Sequence, residues 1–152
     1  MMSSADNIQD LIGLLRAENA SLVVSNHGVL RAFYKKGVRD LEYLLDNEPD
    51  FLRGATVADK VVGKASAGMM AYGGVVRLYA ATLSRLAVPM LEAGGIEYSY
   101  GLMVDQIIIP EGDDRCPLEQ IVAAAETPGE VVRLLREHFL EVSSSASGRS
   151  CR

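Results

Sequence analysis

"ATVADKVVGKASAGMMAYGG", residues 55–74, is the stretch on which the assembly of this 152-residue chain turns. It reads as a helix over 57–72. Thr56 is placed to cap it, and "TVAD" has the Ser/Thr-x-x-acid spacing of a capping box. Val61, Val62, Ala65 and Met69 then share a face suited to packing on a sheet, while Gly63, Ala67 and Ala71 form a smooth strip beside it. Gly73-Gly74 ends the helix. In this reading Lys60 and Lys64 fall in the first turns, where the helix dipole disfavours cations. Two explanations stand. The lysines are a solvated face partly neutralised by Asp59, or the helix start binds an anion between its free amides and the two ammonium groups. Under the second, Lys60, Gly63 and Lys64 hold a phosphate-bearing, nucleotide-like small molecule.

On the amino-terminal side, "DNIQDLIGLLRAENA" spaces Ile8, Leu11, Ile12, Leu14 and Leu15 as a helix. "SLVVSNHGVLRAFY" reads as a hairpin about "NHG", with Asn26 and Gly28 supplying the turn angles and His27 a turn residue. "GVRDLEYLL" is a short helix. On the carboxyl-terminal side, "VVRLYAATLS" is a buried, central strand. "SRLAVPMLEAGG" is a helix that either starts late, with Pro89 in its first turn, or kinks there. "IEYSYGLMVDQIII" is a strand with a candidate break at Gly101. Two helices follow, "CPLEQIVAAAE" and "TPGEVVRLLREHFLEV", the latter capped by Thr127. Residues 1–142 thus read as one domain and 143–152 as a disordered Ser-rich tail. Strands alternating with helices favour right-handed parallel crossovers, and the hairpin adds an antiparallel pair. The expected architecture is an α/β/α sandwich with a mixed sheet.

Composition narrows the function classes. A net charge of −5 leaves no global basic field for a nucleic-acid polymer. No apolar run approaches the ~20 residues that span a bilayer, and "MMSSADNIQD" lacks a signal-peptide core, so a soluble cytoplasmic protein without membrane partners is expected. Two cysteines, Cys116 and Cys151, make no disulfide framework.

"ADKVVGKASA" (58–67), followed by "DRCPLE" (114–119), resembles a small prokaryotic family of unknown function with the cytidine-deaminase-like fold, over about Ala20 to Val122. The resemblance implies a three-layer sandwich with about five strands. It also implies a ligand pocket where the start of the 57–72 helix meets the start of the next, near Ser84. Zinc deaminases place His/Cys-x-Glu at the first start and Pro-Cys-x-x-Cys at the second. Here these positions read Val57-Ala58-Asp59 and Leu83-Ser84-Arg85-Leu86-Ala87, so no metal, no other cofactor and no zinc-dependent deamination are expected. Asp59 would stand roughly where deaminases keep their glutamate.

Cys116 precedes Pro117, with Glu119 three residues on, which places the thiol at a helix start. It is a structural cap or, with a dipole-lowered pKa, a nucleophile. Three functions from different classes remain. One is a binding domain for an anionic small molecule, with Lys60, Gly63, Lys64 and Ser84 as contacts. Another is a metal-independent enzyme using Asp59, Lys60, Lys64 and Cys116. The last is an assembly protein, for which the amphipathic stripe "VVRLLREHFL" (131–140) offers a self-association face.

Overall fold

Residues 55–74 are a strand followed by a helix. In the computed structural model, which describes residues 8–35, 38–107 and 117–145, strand β3 runs Thr56–Val62 and helix α4 runs Lys64–Gly73, with Gly63 between them. The expected helix start at 57 is therefore corrected to Lys64. Thr56 and Asp59 lie in a strand and make no capping box. Four of the seven strand residues, Thr56, Val57, Val61 and Val62, are β-branched, a preference that favours the pleated form. Gly74, with φ 87°, ends α4 in the left-handed region, and its amide donates to the Ala71 carbonyl.

The remaining elements are α1 (Ile8–Ala17), β1 (Leu22–Asn26), β2 (Val29–Phe33), α2 (Arg39–Asn47), the single turn α3 (Pro49–Leu52), β4 (Arg77–Ser84), a 3-10 turn (Arg85–Ala87), α5 (Val88–Ala93), β5 (Glu97–Val104), α6 (Pro117–Ile121) and α7 (Pro128–Ser145). Pro89 sits in the first turn of α5, the late start that relieves its missing amide. Thr127 caps α7, accepting from the Glu130 amide at 3.1 Å. Helix α7 reaches Ser145, so 143–145 are helical rather than tail; residues 146–152 lie outside the described residues. The β1–β2 turn takes its positive φ at His27 (53°) and Gly28 (77°), not at Asn26.

The five strands form one mixed sheet in the order β2-β1-β3-β4-β5. Strand β1 is antiparallel to both neighbours, while β3, β4 and β5 are parallel. The middle strand of the five is β3, and β4 is interior as expected, paired with β3 on one side and β5 on the other. Strand β5 continues unbroken through Gly101, where an added Cβ would stand 2.9 Å from the Ala81 carbonyl oxygen. Successive β3 residues feed two apolar clusters on opposite faces: Val57 joins the large one with α2 and α4–α7, and Ala58 joins the smaller one under α1.

The smooth strip of α4 is consumed by packing. Ala67 is fully buried, a Cβ on Gly68 would meet Val131 of α7 at 2.5 Å, and one on Gly94 would meet the Ala71 methyl at 2.6 Å. Among the described residues, no helix is long and apolar enough to cross a membrane.

Candidate functional site

Strands β3 and β4 end side by side, with Val62 opposite Leu83, and each feeds a helical turn at its carboxyl end. In open α/β sheets such an edge is where ligands gather. The start of α4 and the 3-10 turn that follows Ser84 both stand at that edge.

What fills the start of α4 is an internal carboxylate. The Lys64 amide donates to Glu119 Oε1 at 2.8 Å and the Ala65 amide donates to Glu119 Oε2 at 2.9 Å. Glu119 is only 5% exposed. A carboxylate on the first two amides of a helix satisfies two orphan donors and complements the dipole. Gly63 makes room for it: a Cβ there would lie 2.6 Å from Glu119 Cδ. The Ser66 hydroxyl accepts from the Gly63 amide at 3.2 Å and closes the turn. An anionic ligand would have to displace Glu119 to reach these amides.

The two lysines diverge. Lys60, on β3, donates to the Asn19 side-chain oxygen at 2.7 Å, beyond the end of α1. Lys64 reaches the other side of the sheet and donates to the Ala123 carbonyl at 2.9 Å, beyond α6. Both ammonium groups are held by neutral oxygens, so the expected i, i+4 pair around one anion does not form. Ser84 is fully buried; its Oγ accepts from the Leu86 amide at 3.1 Å and so caps the 3-10 turn. Cys116 lies outside the described residues.

Asp59 is the chemically unusual group. It is partly exposed, in mid-strand, with Leu22 on one side and Ala80 on the other. Burial pushes its carboxyl up to about 8, against the Val61 and Lys60 amides, which favour the anion; the charge of Asp40 adds to the rise. Asp40 is itself buried and accepts from the Lys35 amide at 3.0 Å. Asp59 Oδ1 receives the Val61 amide at 3.4 Å. At neutral pH Asp59 is largely a neutral acid.

Neither histidine joins this site. His27 is in the hairpin turn, and His138 is on α7 beside Phe139, its buried Nε2 without a partner among the described residues. Among the described residues no three His, Cys, Asp or Glu side chains gather as a metal would need. A shallow notch lies elsewhere, between α2, α4 and α7, where Arg136 pairs with Asp46 at 3.3 Å above Leu45 and Met69.

Sequence reasoning missed Glu119 as a partner of α4, reading it as an acid of its own helix start. The only signal was that "GKASA" and "CPLE" stand in one chain; their contact spans 55 residues.

No curated protein matches the chain. The crystal structure of a DUF1893 family protein (TM1506) from Thermotoga maritima at 2.70 Å resolution has a TM-score of 0.80 and 21% sequence identity, covering 91% of this chain and 93% of that one. The likeness is one of fold. The model of the TM1506 family, a domain of unknown function (DUF1893), matches residues 10–139, and the chain belongs to that family.

Proposed function

We propose that the chain is an interaction domain on a cytidine-deaminase-like α/β/α frame, working without catalytic zinc and without an anionic ligand at the start of α4. The observation that carries this reading is Glu119. Its carboxylate already takes the two amides that a phosphate or a metal-bound hydroxide would use. The strand order, with β1 alone running against the rest, supports the deaminase-like frame. The small-residue strip that could have received a flat ligand is covered from within: Gly63 faces Glu119, Ala67 is buried and Ala71 abuts Gly94.

The test is a thermal-shift panel of nucleotides and inorganic phosphate on the wild type and on Glu119→Ala, with native mass spectrometry for zinc. The reading expects no ligand-dependent stabilisation of the wild type and no stoichiometric zinc. Stabilisation of the wild type by a nucleotide, lost in Lys64→Ala, would replace it with the small-molecule reading.

A second reading is favoured by one group, the raised carboxyl of Asp59. A neutral acid partly open to solvent at neutral pH is suited to donate a proton to a bound substrate. A metal-independent activity that fell in Asp59→Asn, with the fold kept, would establish it.

A further inference from the structure

Asp59 is the polar member of an apolar row that crosses the sheet. The register runs Phe33, Leu22, Asp59 and Ala80, from β2 through β1 and β3 to β4. Phe33, Leu22 and Ala80 all belong to the large apolar cluster, so the Asp59 carboxyl lies on the face that α2 covers with Val38, Leu41 and Leu44. Helix α2 brings a second carboxylate to the same place. Asp40, in its first turn, is 8% exposed, and its Oδ2 accepts from the Lys35 amide at 3.0 Å, two residues beyond Phe33. The charge of Asp40 is felt at Asp59. The other charged groups nearby are engaged elsewhere or open to water. Lys60 is held by Asn19, Lys64 by Ala123 and Glu119 by the α4 amides, while Lys35 and Arg39 are exposed. Tyr100 stands beyond Ala80 in the register, 46% exposed. Among the described residues neither Asp59 nor Asp40 has an ion-pair partner.

We propose that the first turn of α2 is a proton-operated latch, closed over this row while Asp59 carries its proton and lifted, with release of the Lys35 amide, when Asp59 ionises. The inference is independent of the function proposed above. A neutral acid sits among apolar neighbours at modest cost, whereas a carboxylate there loses water and faces Asp40. The Val61 amide, at 3.4 Å from Asp59 Oδ1, offsets only part of that loss. Lifting the first turn of α2 admits water to Asp59 and carries Asp40 away from it. The open form is therefore the one that ionised Asp59 favours. The closed form holds the carboxyl up to about 8 against an ordinary 3.8, so the opening constant rises with pH between those values, by at most about tenfold per pH unit, and levels off above.

Two amides report on the latch: Lys35, which donates to Asp40, and Glu42, which donates to the Val38 carbonyl at 2.8 Å. Hydrogen exchange followed amide by amide from about pH 5 to about pH 8, each rate divided by that of an unstructured amide, measures their opening. Protection of Lys35 and Glu42 should fall at least about tenfold across that range. Val131, buried in α7 with its amide on the Thr127 carbonyl, should be better protected throughout, since it reports on the whole fold. Asp59→Asn keeps an oxygen for the Val61 amide and should hold both protections flat. Asp40→Asn keeps an oxygen for the Lys35 amide but removes the charge. It should shrink the fall without abolishing it, because burial is the larger cause. A flat wild-type profile, a fall that survives in Asp59→Asn, or one unchanged in Asp40→Asn overturns the proposal. So does exchange of Lys35 and Glu42 no faster than that of Val131, which would mean that α2 opens only with the whole fold. Should Asp59→Asn fail to fold by circular dichroism, the wild-type and Asp40→Asn profiles decide the question.

Discussion

Removing the Glu119 carboxylate tests whether the start of α4 is a clasp. In Glu119→Ala the amides of Lys64 and Ala65 lose acceptors at 2.8 and 2.9 Å. Hydrogen bonds to charged groups contribute about 1.5–3 kcal/mol each, and a buried donor left unmade costs about 1–3 kcal/mol. These describe the same loss and are not summed. Water entering beside the half-exposed Lys64 recovers part of it, so about 3 kcal/mol in total is expected. At this chain length, about 2–4 °C per kcal/mol turns that into a Tm lower by about 6–12 °C. Glu119→Gln keeps one acceptor oxygen and should lose about half as much. Urea denaturation read by circular dichroism measures both. Gly63→Ala supplies the internal check, because its methyl would overlap Glu119 Cδ at 2.6 Å. It should destabilise the wild type by more than it destabilises Glu119→Ala, where the obstructing carboxylate is gone. Glu119→Ala within about 1 kcal/mol of the wild type, or a Gly63→Ala cost that ignores residue 119, would refute the clasp.

Other outcomes follow from the same geometry. Asp59 has a folded value of about 8 against an ordinary 3.8, so between these pH values the folded chain holds a proton that the unfolded chain has released. Stability should therefore fall as pH rises from about 4 to about 8 and level off beyond. Asp59→Asn should remove the decline and exceed the wild type at pH 8 by at least about 1 kcal/mol, and carboxyl-carbon NMR should find the Asp59 midpoint near 8 rather than near 4. Lys60→Ala and Lys64→Ala each lose one bond to a neutral oxygen near solvent, so each should change unfolding free energy by about 1 kcal/mol or less. Gly68→Ala should cost about 1–3 kcal/mol by overpacking against Val131, and Gly68→Ala with Val131→Ala should cost less than the sum of the two single changes.

Much of the frame is written locally. The hairpin at 26–28, the Thr127 cap and the Gly74 stop depend on backbone preferences within a few residues, and each stands where the sequence alone places it, save that His27 rather than Asn26 takes the positive φ; the late helix start at Pro89 is one of the two arrangements the sequence leaves open. The parallel order of β3, β4 and β5 follows from the alternation of strands with helices. Residues 57–62 are different. "VADKVV" satisfies helical spacing and β-branched preference equally well, and a short apolar run does not choose between them. The choice falls to β1 and β4, which supply hydrogen-bond partners on both sides of β3 that a helix would leave unused. That single decision moves Lys60 out of the helix, turns the two lysines to opposite sides and leaves the start of α4 to Glu119. Residue types and charge are local properties, legible one at a time. Which carboxylate reaches which amides is a property of the packed chain, because only folding brings residues 64 and 119 within 3 Å.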